Sequence, residues 1–114
     1  MIDRESLRPL IELLIDATNR FDVDAVLSRF TPNAVIEDVS VGDKFLGHAG
    51  IRVYIERFFV GYHTVTRLLS VAVRGKGRAS VRVDFTGDFG HEVGLLEISF
   101  NADGLIDHID ADLE

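Results

Sequence analysis

Apolar residues near the start of the chain recur at intervals of three and four positions, which is the spacing of one helix face. This spacing predicts an amphipathic helix over residues 6–19, with Ser6 as its N-cap. Pro9 then falls in the first turn, where amide hydrogens have no intrahelical acceptor and a missing one costs little. The residues of the predicted inward face are Leu7, Leu10, Ile11, Leu14, Ile15 and Thr18.

A second, shorter helix is predicted directly after the first. Asp22 is placed to cap it, its apolar stripe ends at Phe30, and the Thr-Pro-Asn segment at residues 31–33 would terminate it. Residues 34–41 have the composition of a strand. Glycines at positions 42 and 47 then indicate a loop that leads into a third helix.

The third predicted helix has a wide apolar face from Ile51 to Phe59 and ends at Gly61. Beyond it the hydrophobic period changes from that of a helix to that of a strand. Glycine-rich segments at residues 75–77 and 87–90 predict hairpins between long strands. The predicted strands cover residues 64–74, 78–86, 92–100 and 105–113.

The predicted element order, α-α-β-α-β-β-β-β, indicates a single α+β domain over residues 1–114. Helices that precede a meander of long strands favour an antiparallel sheet with its helices on one face. Because the sheet must curve to enclose them, we expect a cone-shaped sheet wrapped around the N-terminal helices. Side chains cannot fill the wide end of such a cone, which predicts an internal pocket for a small, largely apolar molecule.

Charge and composition narrow the classes of partner. The formal net charge is −7 and the 12 Lys and Arg residues are scattered, so neither nucleic acid nor an anionic membrane is an expected partner. The chain has no cysteine, which excludes disulfides and thiolate catalysis. No apolar run approaches the roughly 18 residues of a membrane span, and the first residues lack a signal-peptide pattern. We therefore expect a cytoplasmic protein.

Three short motifs stand out in the first half of the chain: Asp22-Val23-Asp24-Ala25, Asn33-Ala34-Val35-Ile36-Glu37-Asp38 and Gly47-His48-Ala49-Gly50-Ile51-Arg52. Together they resemble the nuclear transport factor 2-like superfamily, in particular its SnoaL-like and ketosteroid isomerase-like branch. The resemblance implies the cone-shaped fold over the whole chain and a homodimer. That superfamily contains isomerases, cyclases, dehydratases, epoxide hydrolases and proteins that only bind, so the fold does not select an activity.

Asp38 is the first candidate for catalysis. Strand alternation puts its side chain on the same face as Ile36, while Glu37 points the other way. If the Ile36 face looks at the helices, the carboxylate lies in an apolar cavity, where poor hydration makes it more basic. The resemblance implies the same role, because Asp38 matches the aspartate with which ketosteroid isomerases shuttle a proton. The alternative is a surface or turn-capping aspartate at a strand end.

The pocket wall is expected to come from helices 1 and 3 and the facing strands, through Leu14, Ile36, Tyr54, Phe58 and Leu96. The resemblance implies donors to an enolate oxygen, a tyrosine and a protonated aspartate, at positions that Leu14 and Leu96 occupy here. Tyr54 or Tyr62 could supply a hydroxyl instead, although a tyrosine on an apolar helix face also fits a core position. A pocket without donors fits another hypothesis, a ligand-binding domain without catalysis.

A second catalytic hypothesis rests on Arg82 and Asp84, which share one strand face. They resemble the Arg-x-Asp of limonene epoxide hydrolase-like members, in which the arginine holds two aspartates. Asp110 is the nearest second aspartate, although the ungapped position falls on Ala111. All of these side chains would have to lie on the concave face. The alternative is an exposed cross-strand ion-pair face with Val81 and its neighbours buried behind it.

Neither a metal ion nor a cofactor is expected. The 4 histidines show no metal-ligand spacing on one helix face, and no nucleotide-binding glycine loop is present. Glu97 is either a buried acid or a residue of the outer sheet face. Val71 and Val73 would need cover if they point outward, and a second copy of the chain could provide it.

Overall fold

The first helix begins two residues earlier than the pattern predicts. The structure is a computed structural model that describes residues 4–114, with side chains from Ser6 onward. Helix α1 spans Arg4–Asn19, so Ser6 lies inside the helix and is not its N-cap, and the residue before α1 lies outside the described residues. Pro9 therefore falls in the second turn, still close enough to the start that its missing amide hydrogen affects a single hydrogen bond.

The second helix, α2, spans Val23–Leu27 and is capped as predicted, because Asp22 Oδ1 accepts a hydrogen bond from the amide of Ala25 at 3.1 Å. It is shorter than expected. Phe30 and residues 31–33 belong to strand β1, Phe30–Asp38, rather than to the end of a helix. The register of β1 against the last strand shifts between Phe30 and Val35, which allows a proline inside the strand.

The remaining elements follow the predicted order with one addition. A short strand, β2, occupies Asp43–Leu46, where the pattern indicates a loop, and pairs with β1 through a tight turn at Gly42, whose φ is 69°. Helix α3 spans Gly47–Ile55 and continues as a π-helical turn over Glu56–Val60. The other strands are β3 Val65–Val73, β4 Arg78–Gly87, β5 Gly90–Phe100 and β6 Ile106–Leu113.

The six strands form one sheet in the order β2-β1-β6-β5-β4-β3, with β2 and β3 at its open edges. Neighbouring strands are antiparallel, except that β1 and β6 run parallel. This pair is parallel because the whole intervening chain connects the two strands, which leaves room for a crossover. The α+β class and the curved sheet are confirmed.

Bulges give the sheet its curvature and set which side chains face the helices. Register shifts occur in β1, in β3 between Leu68 and Ser70, and in β5 between Ser99 and Phe100. Helix α1 packs against β3, and α3 packs against β1 and β2, so both lie on the concave side. The core fills the space between them. Within residues 4–114 no helix is long and apolar enough to cross a membrane.

Candidate functional site

Two adjoining cavities lie between the helices and the concave face of the sheet. The outer cavity has a volume of about 270 Å³ and the inner one about 50 Å³. Three aromatic side chains, Tyr54, Phe59 and Phe85, belong to the walls of both, so the cavities meet at these rings. The outer cavity opens at a rim of partly exposed side chains that includes Val41, Tyr62 and Phe89.

The five side chains expected to form the pocket wall all line these cavities. Leu14, Ile36 and Leu96 line the inner cavity, Phe58 lines the outer one, and Tyr54 lines both. Their positions follow from the helical spacing of α1 and α3 and from strand alternation in β1 and β5. That they bind a ligand stays a prediction.

The π-helical turn after α3 contributes two consecutive aromatic rings to the wall. Its i-to-i+5 hydrogen bonding is seen where the amide of Gly61 donates to the carbonyl of Glu56 at 2.8 Å. The ring centroids of Phe58 and Phe59 lie 5.3 Å and 5.9 Å from that of Tyr54. Sequence spacing alone does not reveal this turn, because the predicted apolar face of helix 3 is compatible with an ordinary α-helix.

Asp38 is the buried carboxylate of the outer cavity. It is 8% exposed and lies at the end of β1 on the Ile36 face, whereas Glu92, the other acid of that wall, is exposed. The carboxylate is well partnered rather than poorly hydrated. Its Oδ2 accepts a hydrogen bond from the Tyr54 hydroxyl at 2.6 Å, and its Oδ1 accepts from the amide of Ser40 at 2.9 Å and from the Ser40 hydroxyl at 2.6 Å.

This hydrogen bonding leaves one acceptor position on Asp38. A carboxylate offers about four lone-pair sites, and the three donors use two on Oδ1 and one on Oδ2. The free site is therefore on Oδ2, beside the Tyr54 hydroxyl. Ser40 is a site residue that the sequence reasoning missed. The signal for it is the Asp-x-Ser spacing, which is typical of a turn in which an aspartate accepts from the amide two residues later.

Tyr54 is held as a neutral phenol. Burial, then the negative charge of Asp38, and then the hydrogen bond to Asp38 raise the pKa of Tyr54 well above its ordinary value of 10.0. Its hydroxyl proton is directed at Asp38 and not at the centre of the cavity. Of the two tyrosines that the sequence suggested as hydroxyl donors to an enolate oxygen, Tyr54 therefore has no free proton to donate in this arrangement. Tyr62 lies at the exposed rim of the outer cavity.

Arg82 and Asp84 line neither cavity, so the geometry that epoxide hydrolysis requires is not present. Arg82 is exposed and makes two hydrogen bonds to Glu114, at 2.6 Å and 2.7 Å, which lower the pKa of Glu114. Asp84 is buried under Arg67, which donates to it at 3.1 Å, and under His91, whose Nε2 contacts Oδ1. The polar side of β4 is an ion-pair face on the convex surface.

Asp110 lies on the same convex surface, and the buried position beside it is Ala111. The parallel pairing of β1 and β6 sets Glu37 opposite Asp110, and His108 Nε2 lies 3.0 Å from a carboxylate oxygen of each. These three side chains offer ligand atoms within 4.8 Å of one another. Lys44 Nζ lies 3.4 Å from Glu37 Oε1 and already neutralises part of the negative charge of this cluster.

The structure also shows which sheet face carries Glu97, Val71 and Val73, for which the sequence left two placements open. Glu97 is exposed and accepts a hydrogen bond from Ser80 Oγ at 2.6 Å, so it belongs to the outer face. Val71 and Val73 are half-buried and pack against the core, because the bulge in β3 reverses the alternation. They therefore provide no argument for a dimer, and the homodimer stays a prediction.

Comparison with solved structures finds the same fold at low sequence identity. A protein of unknown function with a cystatin-like fold from Methylobium petroleophilum PM1 has a TM-score of 0.86 at 19% identity, over 98% of this chain and 78% of that one. A candidate polyketide cyclase from Sinorhizobium meliloti has a TM-score of 0.83 at 23% identity, over 96% of this chain and 99% of that one. At these identities the likeness shows the fold alone.

Two further similar structures carry names that bear on chemistry. A candidate ketosteroid isomerase from Kribbella flavida DSM 17836 has a TM-score of 0.83 at 16% identity, over 96% of this chain and 78% of that one. SalBIII, an epoxide hydrolase/cyclase-like enzyme in pyran ring formation in the polyether salinomycin, has a TM-score of 0.83 at 21% identity, over 100% of this chain and 95% of that one.

No curated protein matches the chain in sequence. The model of the SnoaL-like domain family matches residues 11–108, most of the chain, and this protein therefore belongs to the SnoaL-like domain family.

Proposed function

We propose that the protein transfers a proton at the carbon next to the carbonyl of a small, largely apolar compound, with Asp38 as the general base. The observation that carries this proposal is a buried carboxylate in the wall of an aromatic cavity, with one lone pair of Oδ2 unoccupied. A positioned base of this kind contributes roughly a hundredfold to ten-thousandfold to proton transfer. The names of the structural relatives, cyclase and isomerase among them, are compatible with such chemistry.

The proposed step balances without a cofactor. Asp38 takes the proton from the α-carbon, the C–H bonding pair becomes the carbon–carbon double bond of an enolate, and the carbonyl π pair moves to oxygen. If the proton on Asp38 first exchanges with solvent, return of the solvent proton to the same carbon gives α-proton exchange. Its return to the γ-carbon of a β,γ-unsaturated ketone gives the conjugated isomer, and loss of a β-substituent gives elimination.

Ser40 and Tyr54 would hold the base in place. Ser40 binds Oδ1 from the side of the turn, and Tyr54 binds Oδ2 from α3, so the carboxylate plane is defined from two directions. Because burial and the Asp38 charge keep the phenol protonated, Tyr54 donates to the carboxylate that is to act as the base. Such orientation lowers the barrier by reducing the reorganisation that proton transfer requires.

The test is α-proton exchange of an apolar cyclic ketone in heavy water, followed by proton NMR. We use trans-decalone and a small panel of related ketones with the wild-type protein, the Asp38→Asn variant and a control, Asp107→Asn. Asp107 is an exposed residue of β6 that lines neither cavity. Wild type and control should accelerate exchange above the buffer rate, and Asp38→Asn should lose at least about a hundredfold of that acceleration.

The main competing function is ligand binding without catalysis. The observation that favours it is the same set of hydrogen bonds to Asp38, because donors from the chain's own Ser40 and Tyr54 occupy most of the carboxylate. Ketones that bind with no exchange in any member of the panel would establish this alternative. Exchange that persists in Asp38→Asn would show that the base is another group.

A further inference from the structure

The inner cavity contains a buried hydroxyl that has no partner. Thr66 is 6% exposed and lies near the start of β3, with its side chain in the wall of the inner cavity. Within the part of the chain that the structure describes, its Oγ1 makes no hydrogen bond. A hydroxyl buried without a partner costs free energy, so its presence in a folded core calls for a partner that binds there.

Asn19 fixes the position of this hydroxyl. Its side-chain amide nitrogen donates to the carbonyl of Thr66 at 2.9 Å, and its Oδ1 accepts from the amide of Thr66 at 2.7 Å. Since β3 is an edge strand, these two backbone groups point away from β4 and have no strand partner on that side. The end of α1 thus holds the backbone of Thr66 in place, so that this residue lines the inner cavity while its hydroxyl stays unpaired.

The surroundings of Thr66 suit an oxygen atom on an apolar carrier better than a water molecule. Apart from Thr66, the wall of the inner cavity is almost entirely apolar. Its two other hydroxyls already donate elsewhere, that of Thr18 to the carbonyl of Ile15 at 2.8 Å and that of Tyr54 to Asp38 at 2.6 Å. A volume of about 50 Å³ has room for a water molecule. A buried water typically needs two to four polar partners, however, and Thr66 is the one hydroxyl of this wall that does not already donate to another group.

We infer that Thr66 binds the carbonyl oxygen of the ligand, with that end of the molecule in the inner cavity and its apolar body between the rings of Tyr54 and Phe85. This inference rests on the proposed function for the identity of the ligand as an apolar carbonyl compound. It also supplies a donor for the enolate oxygen from a strand that the sequence reasoning did not consider. Leu14 and Leu96, which line the same cavity, offer none.

The experiment compares two probes that differ only in the acceptor. Trans-decalone carries the carbonyl oxygen, and its exocyclic methylene analogue has nearly the same shape and no acceptor. Dissociation constants are measured by NMR titration for wild type, Thr66→Val and Thr66→Ser. The valine variant keeps the side-chain shape and removes the hydroxyl, whereas the serine variant keeps the hydroxyl.

Wild type and Thr66→Ser should prefer the ketone over the methylene analogue, and Thr66→Val should lose that preference by about tenfold, the factor expected for one buried hydrogen bond. The carbon-13 resonance of the bound carbonyl should shift downfield in wild type relative to Thr66→Val. The thermal midpoint of ligand-free Thr66→Val should equal or exceed that of wild type, because the hydroxyl it lacks is unpaired in the free protein.

An unchanged ketone preference in Thr66→Val would overturn the inference, as would a wild type that binds decalone no better than the methylene analogue. A large fall in the thermal midpoint would also overturn it, since it would mean that the hydroxyl has a partner in the free protein. These outcomes are separate from the proposed function. Binding preference does not require proton transfer, and exchange lost in Asp38→Asn can coexist with either result at Thr66.

Discussion

Alkaline pH should unfold this protein through Tyr54. In the folded chain the phenol is buried and faces the carboxylate of Asp38, which raises its pKa well above 10.0. In the unfolded chain a tyrosine titrates near 10. The folded state therefore retains a proton that the unfolded state loses, so the stability from this group is complete below about pH 10 and falls as the pH rises toward the folded pKa. Between the unfolded and the folded pKa of Tyr54, the free energy of unfolding should fall by about 1.4 kcal/mol per pH unit.

The chain is well suited to this measurement, because it has 2 tyrosines and no tryptophan. In a Tyr62→Phe background Tyr54 is the sole phenol, so phenolate absorbance reports on it alone. Urea unfolding is followed by circular dichroism at several pH values for Tyr62→Phe and for the double variant that also carries Tyr54→Phe. Other alkaline titrations cancel in the difference between the two proteins.

At neutral pH the double variant should be less stable by about 1.5–3 kcal/mol, because Asp38 loses a donor to its buried charge. This difference should shrink by about 1.4 kcal/mol for each pH unit above about pH 10. Phenolate absorbance should appear together with the loss of circular dichroism. A phenol that titrates near pH 10 in a folded protein would contradict this prediction, as would a stability difference that stays constant with pH.

Three further predictions concern the walls of the two cavities. Asn19→Ala should destabilise the protein by about 1–2 kcal/mol in urea, because the edge strand β3 loses two backbone hydrogen bonds, and an unchanged midpoint would contradict the role of that side chain. Gly94→Ala should weaken decalone binding, since an added Cβ would overlap the Phe85 ring and displace it toward the cavity, and undiminished affinity would argue against that site. Ile36→Ala should lower the unfolding free energy by about 2–5 kcal/mol, and a loss below 1 kcal/mol would mean that the core collapses into the enlarged inner cavity.

The polar convex surface has a structural explanation that needs no catalysis. Arg82 pairs with Glu114, and Asp84 is held by Arg67 and His91, so charges of opposite sign alternate across neighbouring strands. The exposed pair of Arg82 and Glu114 contributes little to stability, whereas the carboxylate of Asp84 is buried beneath its partners. These pairs do keep one face of a long antiparallel sheet polar, which discourages pairing with the wrong surface.

Much of the fold follows from the sequence because hydrophobic period and turn chemistry are local properties. The helical spacing in α1 and α3, the cap at Asp22 and the glycine-rich hairpins identify six of the predicted elements in their correct order. Strand alternation likewise places Ile36 and Asp38 on one face, and burial confirms that this face is the inner one. Such inferences hold wherever side-chain direction depends only on the residue's own strand or helix.

The sequence pattern does not predict features that depend on pairing between distant segments. The parallel pairing of Phe30 with Ile106 begins β1 at a residue that the local pattern assigns to a helix, and the bulge in β3 turns Val71 and Val73 inward. The hydrogen bond from Tyr54 of α3 to Asp38 of β1 and the unpaired hydroxyl of Thr66 likewise depend on how separate elements pack together. A side chain's surroundings depend on which segments pack against it, and those contacts form only when the curved sheet packs around its helices.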